Sequence, residues 1–393
     1  MIYVNLKGVS MNKQLTIGKV PYTPEEAGYE SLYIDRLNDF IIRMIDDKIV
    51  QGGSYHLMRG GKLFANNAIG SLDYREPEKP LLPDSIRPIA SITKNFTAVA
   101  IFQLAEKGYI NINDPVAQHL NEFDTPLHKK ITVYNLLTHT SGLLPDGGAF
   151  ETPYENDWVN HLDKFEGNWI KAMLTQPPHC KPNTQWAYSS LGFCFLGEII
   201  KKISGINAED FILENIVKPL GMNDTFYDLP KEYFNRVCVS TEWEIPQTKE
   251  EEKEEKGWSL LPNAGWGLYS TLGDLNKFSQ MMFNNGSLNG TRIIGRKSVE
   301  NIIHHHLDRV EFPNYCWGAD EIHDCGLGFE VMNRKPFNQM TVGTFGHEGS
   351  GVCWSYVDPK EGFIASVFLP YYKGEFNIIP IHRTKYVIWS GLI

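Results

Sequence analysis

Hydrophobic residues near the start of the chain recur first with a helical period and then with a strand-like pattern. In residues 25–49 they lie three or four positions apart, which predicts an amphipathic helix. Residues 54–58 and 62–66 are half apolar and flank Gly60 and Gly61. A glycine pair between two short strand-like runs is typical of a β-hairpin.

The middle of the chain has the periodicity of helices and the last third that of strands. The pattern predicts helices over residues 92–107 and 191–203, which stop at Gly108 and Gly205, and a shorter helix over 211–217. Strand-like runs follow over residues 326–332, 341–347, 352–357 and 363–369, with a turn over 358–362.

This order of elements predicts an α/β fold with two parts. Sheet-forming segments occur towards both chain ends, and the segment between them is helical. The simplest packing joins residues 1–85 and 260–393 into one sheet domain and inserts residues 86–259 as a helical domain.

The composition and charge exclude several classes of protein. The 393 residues include 37 Lys and Arg and 47 Asp and Glu, a net charge of −10, whereas binding to nucleic acid requires a basic surface. Hydrophobic residues make up 42% of the chain, which is enough to form a core and argues against disorder. We therefore expect a folded protein that does not bind nucleic acid.

The cysteines and the apolar segments predict an intracellular protein. The six cysteines are scattered and form no CxxC pair, which favours free thiols over a disulfide framework or a zinc site. The first residues lack the apolar stretch of a secretory signal, and no apolar run reaches the roughly 18 residues of a membrane span. We expect a soluble, cytoplasmic protein whose oligomeric state is left open.

The sequence Ser91-Ile92-Thr93-Lys94 has the spacing of an activated serine. Residues three apart share a helix face, and a long helical pattern begins directly after Ser91. An amine held beside a hydroxyl can take its proton and make it a nucleophile. The four-residue pattern alone arises by chance roughly once or twice in a chain of this size.

Two further motifs are candidates for the same site. Tyr188-Ser189-Ser190 leads directly into the helix predicted over 191–203, so that the tyrosine can point into a cleft. His347-Glu348-Gly349 ends an apolar run and is followed by Ser350. Small residues on an edge strand let a substrate backbone approach closely, and a free backbone N–H there can bind an oxyanion.

These three motifs occur in the order and approximate spacing of the serine β-lactamase-like superfamily. Three flanking segments also resemble segments of that superfamily: LLTHTSGL over residues 136–143, PLGM over 219–222 and GLYST over 267–271. From about residue 25 to 390 the chain resembles class C β-lactamases, DD-peptidases, family VIII esterases and D-aminopeptidases.

The resemblance implies an antiparallel sheet flanked by helices, an inserted all-helical domain, and an active site in the cleft between the two domains. It makes Ser91 the nucleophile that is acylated, with Lys94 and Tyr188 sharing proton transfer. Which of these two is the base stays open. It implies neither a metal nor another cofactor.

The resemblance also implies residues that bind the substrate. Ser190 takes the place of the usual Asn of the family, and His347 takes the place of the usual Lys. Gly349 lets the substrate approach, and the backbone N–H groups of Ser91 and Ser350 form the oxyanion hole. Glu348 either meets a cationic substrate group or is solvated.

Together these residues predict a serine hydrolase. We expect it to act on esters, amides or D-amino-acid peptides, with weak or no β-lactamase activity, because His347 is a poorer carboxylate anchor than lysine. Two alternatives stay open: a penicillin-binding or sensor-like protein that does not turn over its ligand, and an acyltransferase. In each case the partner is a small molecule or a short peptide.

Overall fold

The computed structural model of the chain describes residues 2–4, 13–146, 158–247, 260–308, 310, 325–333, 339–351, 353–375, 377 and 379–393. Within these residues no helix combines the length and the apolar character that crossing a membrane requires.

Strands from both ends of the described chain form one antiparallel sheet. The strands of this sheet are β1 Ile2–Val4, β2 Leu15–Ile17, β3 Gly52–Arg59, β4 Lys62–Asp73, β5 Glu76–Pro80, β10 Glu330–Val331, β11 Phe345–Gly349, β12 Cys353–Asp358 and β13 Phe363–Phe368. Their order in the sheet is β1-β2-β4-β3-β13-β12-β11-β10, and β5 pairs with β4. Two short pairs lie outside it: β6 Arg87–Pro88 with β7 Tyr269–Ser270, and β8 Ser287–Leu288 with β9 Thr291–Arg292.

The helices of the described chain cover the sheet and fill the segment between its two halves. They are α1 Ser31–Asp46, α2 Thr93–Glu106, α3 Val133–Leu137, α4 Trp169–Met173, α5 Ser190–Ser204, α6 Ala208–Ile212, α7 Leu272–Phe283, α8 Arg296–Ile302 and α9 Ile379–Trp389.

The two faces of the sheet bury different cores because side chains alternate along a strand. On β13, Phe363, Ala365 and Val367 pack with α1 and α9. Ile364 and Phe368 point the other way and join the core that contains α2, α5 and α7. The sheet therefore lies between two layers of helix.

Helix α2 is buried on all sides, which sets it apart from the amphipathic α1. Every residue from Thr93 to Leu104 is buried. A helix surrounded by protein cannot show a polar face. Its start is therefore held firmly by packing, and this is where Ser91 and Lys94 lie.

The structure confirms most of the elements predicted from the sequence. The α/β class, the antiparallel sheet, the hairpin of β3 and β4, and helices α2 and α5 are as expected. The predicted helix over 25–49 is shorter, because residues 25–27 form a separate 3-10 turn that ends at Gly28 in a left-handed conformation. The short helix predicted over 211–217 begins earlier, as α6, and continues as a π-helical turn.

Two predicted strands of the last third are wrong in extent. The run over 326–332 contributes only the two residues of β10, after a bend that includes Gly328 with φ of +73°. The run over 341–347 becomes β11 and starts four residues later. Strand β11 is also not an edge strand along its whole length, since β10 pairs with Phe345 and Gly346. The division into domains 1–85 with 260–393 and 86–259 stays a prediction.

Candidate active site

Ser91 lies in a 3-10 turn, Ala90–Ile92, that runs directly into α2. The preceding residue, Ala90, has φ of +44°, in the left-handed region that residues with a Cβ rarely adopt. Such strain is kept where the surroundings fix it and is often found at functional positions. Ser91 is partly exposed, whereas Ile92 and Thr93 after it are buried.

Lys94 lies in the first turn of α2 with its side chain entirely buried. Its Nζ is 3.1 Å from Ser91 Oγ, 3.0 Å from Ser190 Oγ and 2.9 Å from the Gly265 carbonyl oxygen. Burial lowers the pKa of Lys94 from 10.5 to about 8, against the opposing effects of the Asp146 carboxylate and Cys194. An unprotonated amine beside the serine is thus accessible near neutral pH.

Tyr188 lies against both Lys94 and His139. Its ring stacks on the His139 ring with 4.3 Å between centroids, and Lys94 Nζ is 4.8 Å from the centre of the Tyr188 ring. The backbone N–H of Ser189 donates to His139 Nδ1 over 3.1 Å, and that of Ala187 donates to the His139 carbonyl over 2.9 Å. The loop that contains His139 thereby fixes the segment that carries Tyr188.

His139 acts in this contact as a neutral imidazole. Burial, followed by the nearby Lys94 and His347, holds the pKa of His139 well below its usual range. A neutral ring keeps a lone pair on Nδ1, which the Ser189 N–H requires.

Ser190 connects Lys94 to an acidic residue, Asp146. The Ser190 hydroxyl is 2.6 Å from Asp146 Oδ2, and the Ser190 backbone N–H is 2.6 Å from Asp146 Oδ1. The Asp146 backbone N–H donates in turn to the Tyr188 carbonyl over 2.8 Å. Asp146 thus holds the Tyr188–Ser190 segment at both ends.

The end of β11 packs against the segment that precedes Ser91. A Cβ on Gly349 would overlap the Ile89 carbonyl and the Cys353 sulfur, so glycine is needed for this close approach. The Cys353 thiol donates to the Ile89 carbonyl over 3.3 Å. Ser350 follows Gly349 at the exposed turn between β11 and β12.

A buried ion pair supports the same turn. The Arg87 guanidinium donates to the Gly351 carbonyl over 2.6 Å and lies 2.8 Å from Glu244 Oε1. Glu244 also accepts the Ser240 backbone N–H over 2.6 Å. Arg87 and Glu244 are almost fully inaccessible to solvent, so this pair fixes the residue next to Ser350.

His347 is buried on β11, with its ring 6.2 Å from that of Tyr188. Its Nδ1 is within hydrogen-bond distance of the Glu348 carbonyl and 3.6 Å from Glu330 Oε1. A carbonyl only accepts, so Nδ1 carries the proton. In the neutral ring the other nitrogen, Nε2, is then an acceptor.

Glu348, the neighbour of His347 on β11, is engaged in contacts within the protein. Neighbouring residues on a strand point to opposite faces, and the Glu348 carboxylate pairs with Lys385 of α9 and accepts from the Tyr356 hydroxyl over 3.2 Å. Its carboxylate is therefore paired with Lys385, and 30% of its side chain stays exposed to solvent.

The structure therefore brings Ser91, Lys94, Tyr188 and Ser190 into direct contact around the Lys94 amine, with His347 beside Tyr188. Sequence reasoning missed Asp146 and Gly265, which contact Ser190 and Lys94, and Arg87, which supports the turn after Gly349. Each acts through a contact with a residue more than 40 positions away in the chain. No local pattern marks them, although Asp146 lies only three residues after the loop of residues 136–143.

A family model described as beta-lactamase matches residues 37–374, so the chain belongs to the beta-lactamase family. A penicillin-binding protein of Bacillus subtilis (strain 168) is 30% identical over 187 residues, which are 47% of this chain and 40% of that protein. The chain thus matches about two fifths of the length of that curated relative.

Solved structures share the fold along nearly the whole chain. EstCE1, a hydrolase with promiscuous acyltransferase activity, has a TM-score of 0.68 at 16% identity, covering 91% of this chain and 98% of that one. A family VIII carboxylesterase also has a TM-score of 0.68, at 21% identity, covering 93% and 99% of the two chains. At these identities the likeness establishes the fold.

Proposed function

We propose that the protein is a serine hydrolase that forms a covalent acyl-enzyme on Ser91. The observation that carries the proposal is the buried Lys94 amine 3.1 Å from the Ser91 hydroxyl, with the lysine pKa lowered to about 8. A general base needs hydrogen-bond reach of the proton that it removes and a pKa near the working pH. Lys94 meets both conditions. Membership of the beta-lactamase family supports the same class of chemistry.

In the proposed reaction the Ser91 oxygen attacks the carbonyl carbon of an ester or amide as Lys94 takes the serine proton. Tyr188, which lies against the Lys94 amine, takes part in passing this proton to the leaving alcohol or amine. The bond to the leaving group breaks and the acyl group stays on Ser91. Water then attacks the ester carbon, its proton returns to Ser91, and the acid leaves.

The backbone N–H groups of Ser91 and Ser350 are proposed to bind the oxyanion that forms in each step. The turn that carries Ser350 is held against Ile89 by the close approach of Gly349 and by the Arg87 contact to Gly351. Donors fixed in advance cost no reorganisation during the reaction, and removal of one donor costs about 2.7–4 kcal/mol where this has been measured.

The substrates that fit this site best are uncharged short-chain esters, amides and peptides with an N-terminal D-residue. In the family resemblance, position 347 faces the carboxylate of a β-lactam. With Nδ1–H engaged by the Glu348 carbonyl, a neutral His347 offers that carboxylate a lone pair instead of a proton. β-Lactams are therefore expected to be poor substrates.

Acyl transfer is a second candidate function, in which an alcohol or amine replaces water in the last step. The fold shared with EstCE1, a hydrolase with promiscuous acyltransferase activity, favours it. A protein that is acylated but not turned over is the remaining alternative, and it differs in releasing no product after the first equivalent.

Steady-state hydrolysis of p-nitrophenyl butyrate tests the proposal. The wild-type protein is expected to release many equivalents of nitrophenol, and the Ser91→Ala variant to release none above background while unfolding at the same temperature. A single equivalent without turnover would support the non-turnover alternative. Full activity of Ser91→Ala would overturn the assignment of the nucleophile. Addition of a primary alcohol distinguishes acyl transfer from hydrolysis, because transfer forms a new butyrate ester and hydrolysis forms butyric acid.

A further inference from the structure

We infer that Asp146 is a positioning residue that acts through Ser190 to aim the lone pair of Lys94 at Ser91. The inference rests on the proposed function, since it concerns how the same serine is activated. Asp146 touches neither Ser91 nor Lys94 through a hydrogen bond, and its carboxylate contacts Ser190 instead.

The first step concerns the single hydrogen of the Ser190 hydroxyl. Two neighbours compete for this group: Asp146 Oδ2 at 2.6 Å and Lys94 Nζ at 3.0 Å. An ionised carboxylate only accepts hydrogen bonds, so the hydroxyl donates to Asp146. The oxygen of Ser190 is then left with lone pairs facing Lys94.

The second step concerns the amine of Lys94 once it has lost its proton. A neutral amine has two N–H groups and one lone pair to share among its three neighbours. The Gly265 carbonyl at 2.9 Å can only accept, and Ser190 must accept because its hydrogen belongs to Asp146. The lone pair is therefore left for Ser91 Oγ at 3.1 Å, which is the group whose proton it must take.

Without the Asp146 carboxylate these hydrogen-bond directions are no longer fixed. The Ser190 hydroxyl would be free to rotate and donate to the lone pair of Lys94, in competition with Ser91. The backbone contact of Asp146 Oδ1 with the Ser190 N–H at 2.6 Å keeps the carboxylate in a single orientation. In Asp146→Asn the amide oxygen would keep this backbone contact, which turns the amide N–H₂ towards the Ser190 hydroxyl and reverses its hydrogen bond.

Asp146 has a second, electrostatic effect on Lys94, because its negative charge favours the ammonium form. The titratable groups around the Lys94 amine are Asp146, Cys194, Tyr188 and His139. Burial raises the pKa of the Cys194 thiol, and burial, followed by Lys94 and His347, lowers that of His139. Removal of the Asp146 charge should therefore lower the pH at which Lys94 loses its proton.

The rate at which a fluorophosphonate modifies Ser91 tests the inference, because it reports activation of the serine without a natural substrate. It is measured against pH for the wild-type protein, Asp146→Asn, Ser190→Ala and the double variant, with the site of modification mapped by mass spectrometry. Thermal unfolding of each variant shows that it is folded.

Asp146→Asn is expected to lower the high-pH rate by about 10- to 100-fold, the effect of one hydrogen bond to a charged group, and to move the midpoint to lower pH. Ser190→Ala should lower the rate but leave the midpoint in place, because the carboxylate remains. In the Ser190→Ala background, Asp146→Asn should cause no further loss of the high-pH rate and should still move the midpoint.

Three results would overturn the inference. Asp146→Asn could react like the wild-type protein at every pH, or it could lose as much rate in the Ser190→Ala background as alone. Ser190→Ala could also react at the full rate, which tests the same connection if Asp146→Asn does not fold. In these cases wild-type Ser91 still reacts and the proposed function stands. If wild-type Ser91 does not react at any pH, the proposed function fails as well.

Discussion

Lys94 Nζ lies 3.1 Å from Ser91 Oγ at the entry to α2. The spacing of three residues places both side chains on one side of the first helical turn. The lysine is fully buried, and burial lowers its pKa to about 8 against the opposing charge of Asp146. In the proposed reaction this contact activates the serine only while the amine is neutral, so the proposed chemistry depends on pH.

The first prediction is a pH dependence set by Lys94. Because only the neutral amine takes the serine proton, kcat/KM for p-nitrophenyl butyrate should rise with pH through a midpoint near 8. Lys94→Met should remove this rise and lower kcat/KM by about 10²- to 10⁴-fold. Initial rates across the range from about pH 6 to about pH 10 measure both effects. A flat wild-type profile, or an unchanged profile in Lys94→Met, would show that another group is the base.

The second prediction concerns substrate choice at His347. Lysine at this position is a permanent cation, whereas a neutral histidine with Nδ1–H held by the Glu348 carbonyl has no proton to offer on Nε2. His347→Lys should therefore raise kcat/KM for nitrocefin relative to p-nitrophenyl butyrate. The ratio is compared in both proteins at about pH 7.5, above the usual pKa of histidine. A wild-type preference for nitrocefin, or an unchanged ratio, would contradict this account of His347.

The third prediction concerns the turn that carries Ser350. In Gly349→Ala the new methyl group would meet the Ile89 carbonyl, so β11 has to move away from the segment before Ser91. This shift should displace the Ser350 N–H and lower kcat by up to about 10²-fold.

Gly273→Ala in α7 is the matched control, because a Cβ there has only an ordinary contact, 3.9 Å from Thr271 Oγ1. The control should keep full activity and unfold close to the wild-type temperature. If Gly349→Ala were as active as Gly273→Ala, the position of the turn that carries Ser350 would not affect catalysis.

The sequence predicted the parts of this molecule whose causes are local. The glycine pair between two half-apolar runs identifies the β3–β4 hairpin, and the helical period identifies α2 and α5. Helix α9 was missed because buried Thr384 and Lys385 interrupt its apolar pattern. Strand β10 is much shorter than its apolar run suggested.

In the candidate site, too, the sequence predicted the local contacts and missed those between distant parts of the chain. Ser91 and Lys94 are three residues apart on one helix, so their contact follows from helix geometry. The Gly265 carbonyl reaches the Lys94 amine from a position 171 residues further along the chain, and Asp146 reaches Ser190 from 44 residues before it. Contacts of this kind depend on the tertiary fold, and single-sequence patterns do not contain them.

The fourth prediction concerns stability in acid. His56 on β3 is buried, its Nδ1 has no hydrogen-bond partner, and burial lowers its pKa from 6.5 to about 4. The unfolded chain therefore binds a proton at His56 before the folded chain does. The free energy of unfolding should fall as the pH decreases from about 6.5 to about 4, and His56 should account for about 3 kcal/mol of this loss.

Urea unfolding at about pH 7 and about pH 4.5 measures the share of His56. His56→Gln cannot be protonated and should lose less stability between these two values than the wild-type protein. His304→Gln, a change at an exposed histidine, is the control and should leave the loss unchanged. An identical loss in His56→Gln and the wild-type protein would show that burial of His56 does not govern acid unfolding.

The central claim is that an acyl group is held on Ser91 during turnover. The most direct test is intact-mass analysis of protein quenched with acid within the first turnovers of p-nitrophenyl butyrate, followed by peptide mapping. We predict a mass increase of one butyryl group on the peptide that contains Ser91, and no increase in Ser91→Ala. A butyryl group on another residue, or nitrophenol release that continues in Ser91→Ala, would contradict the claim.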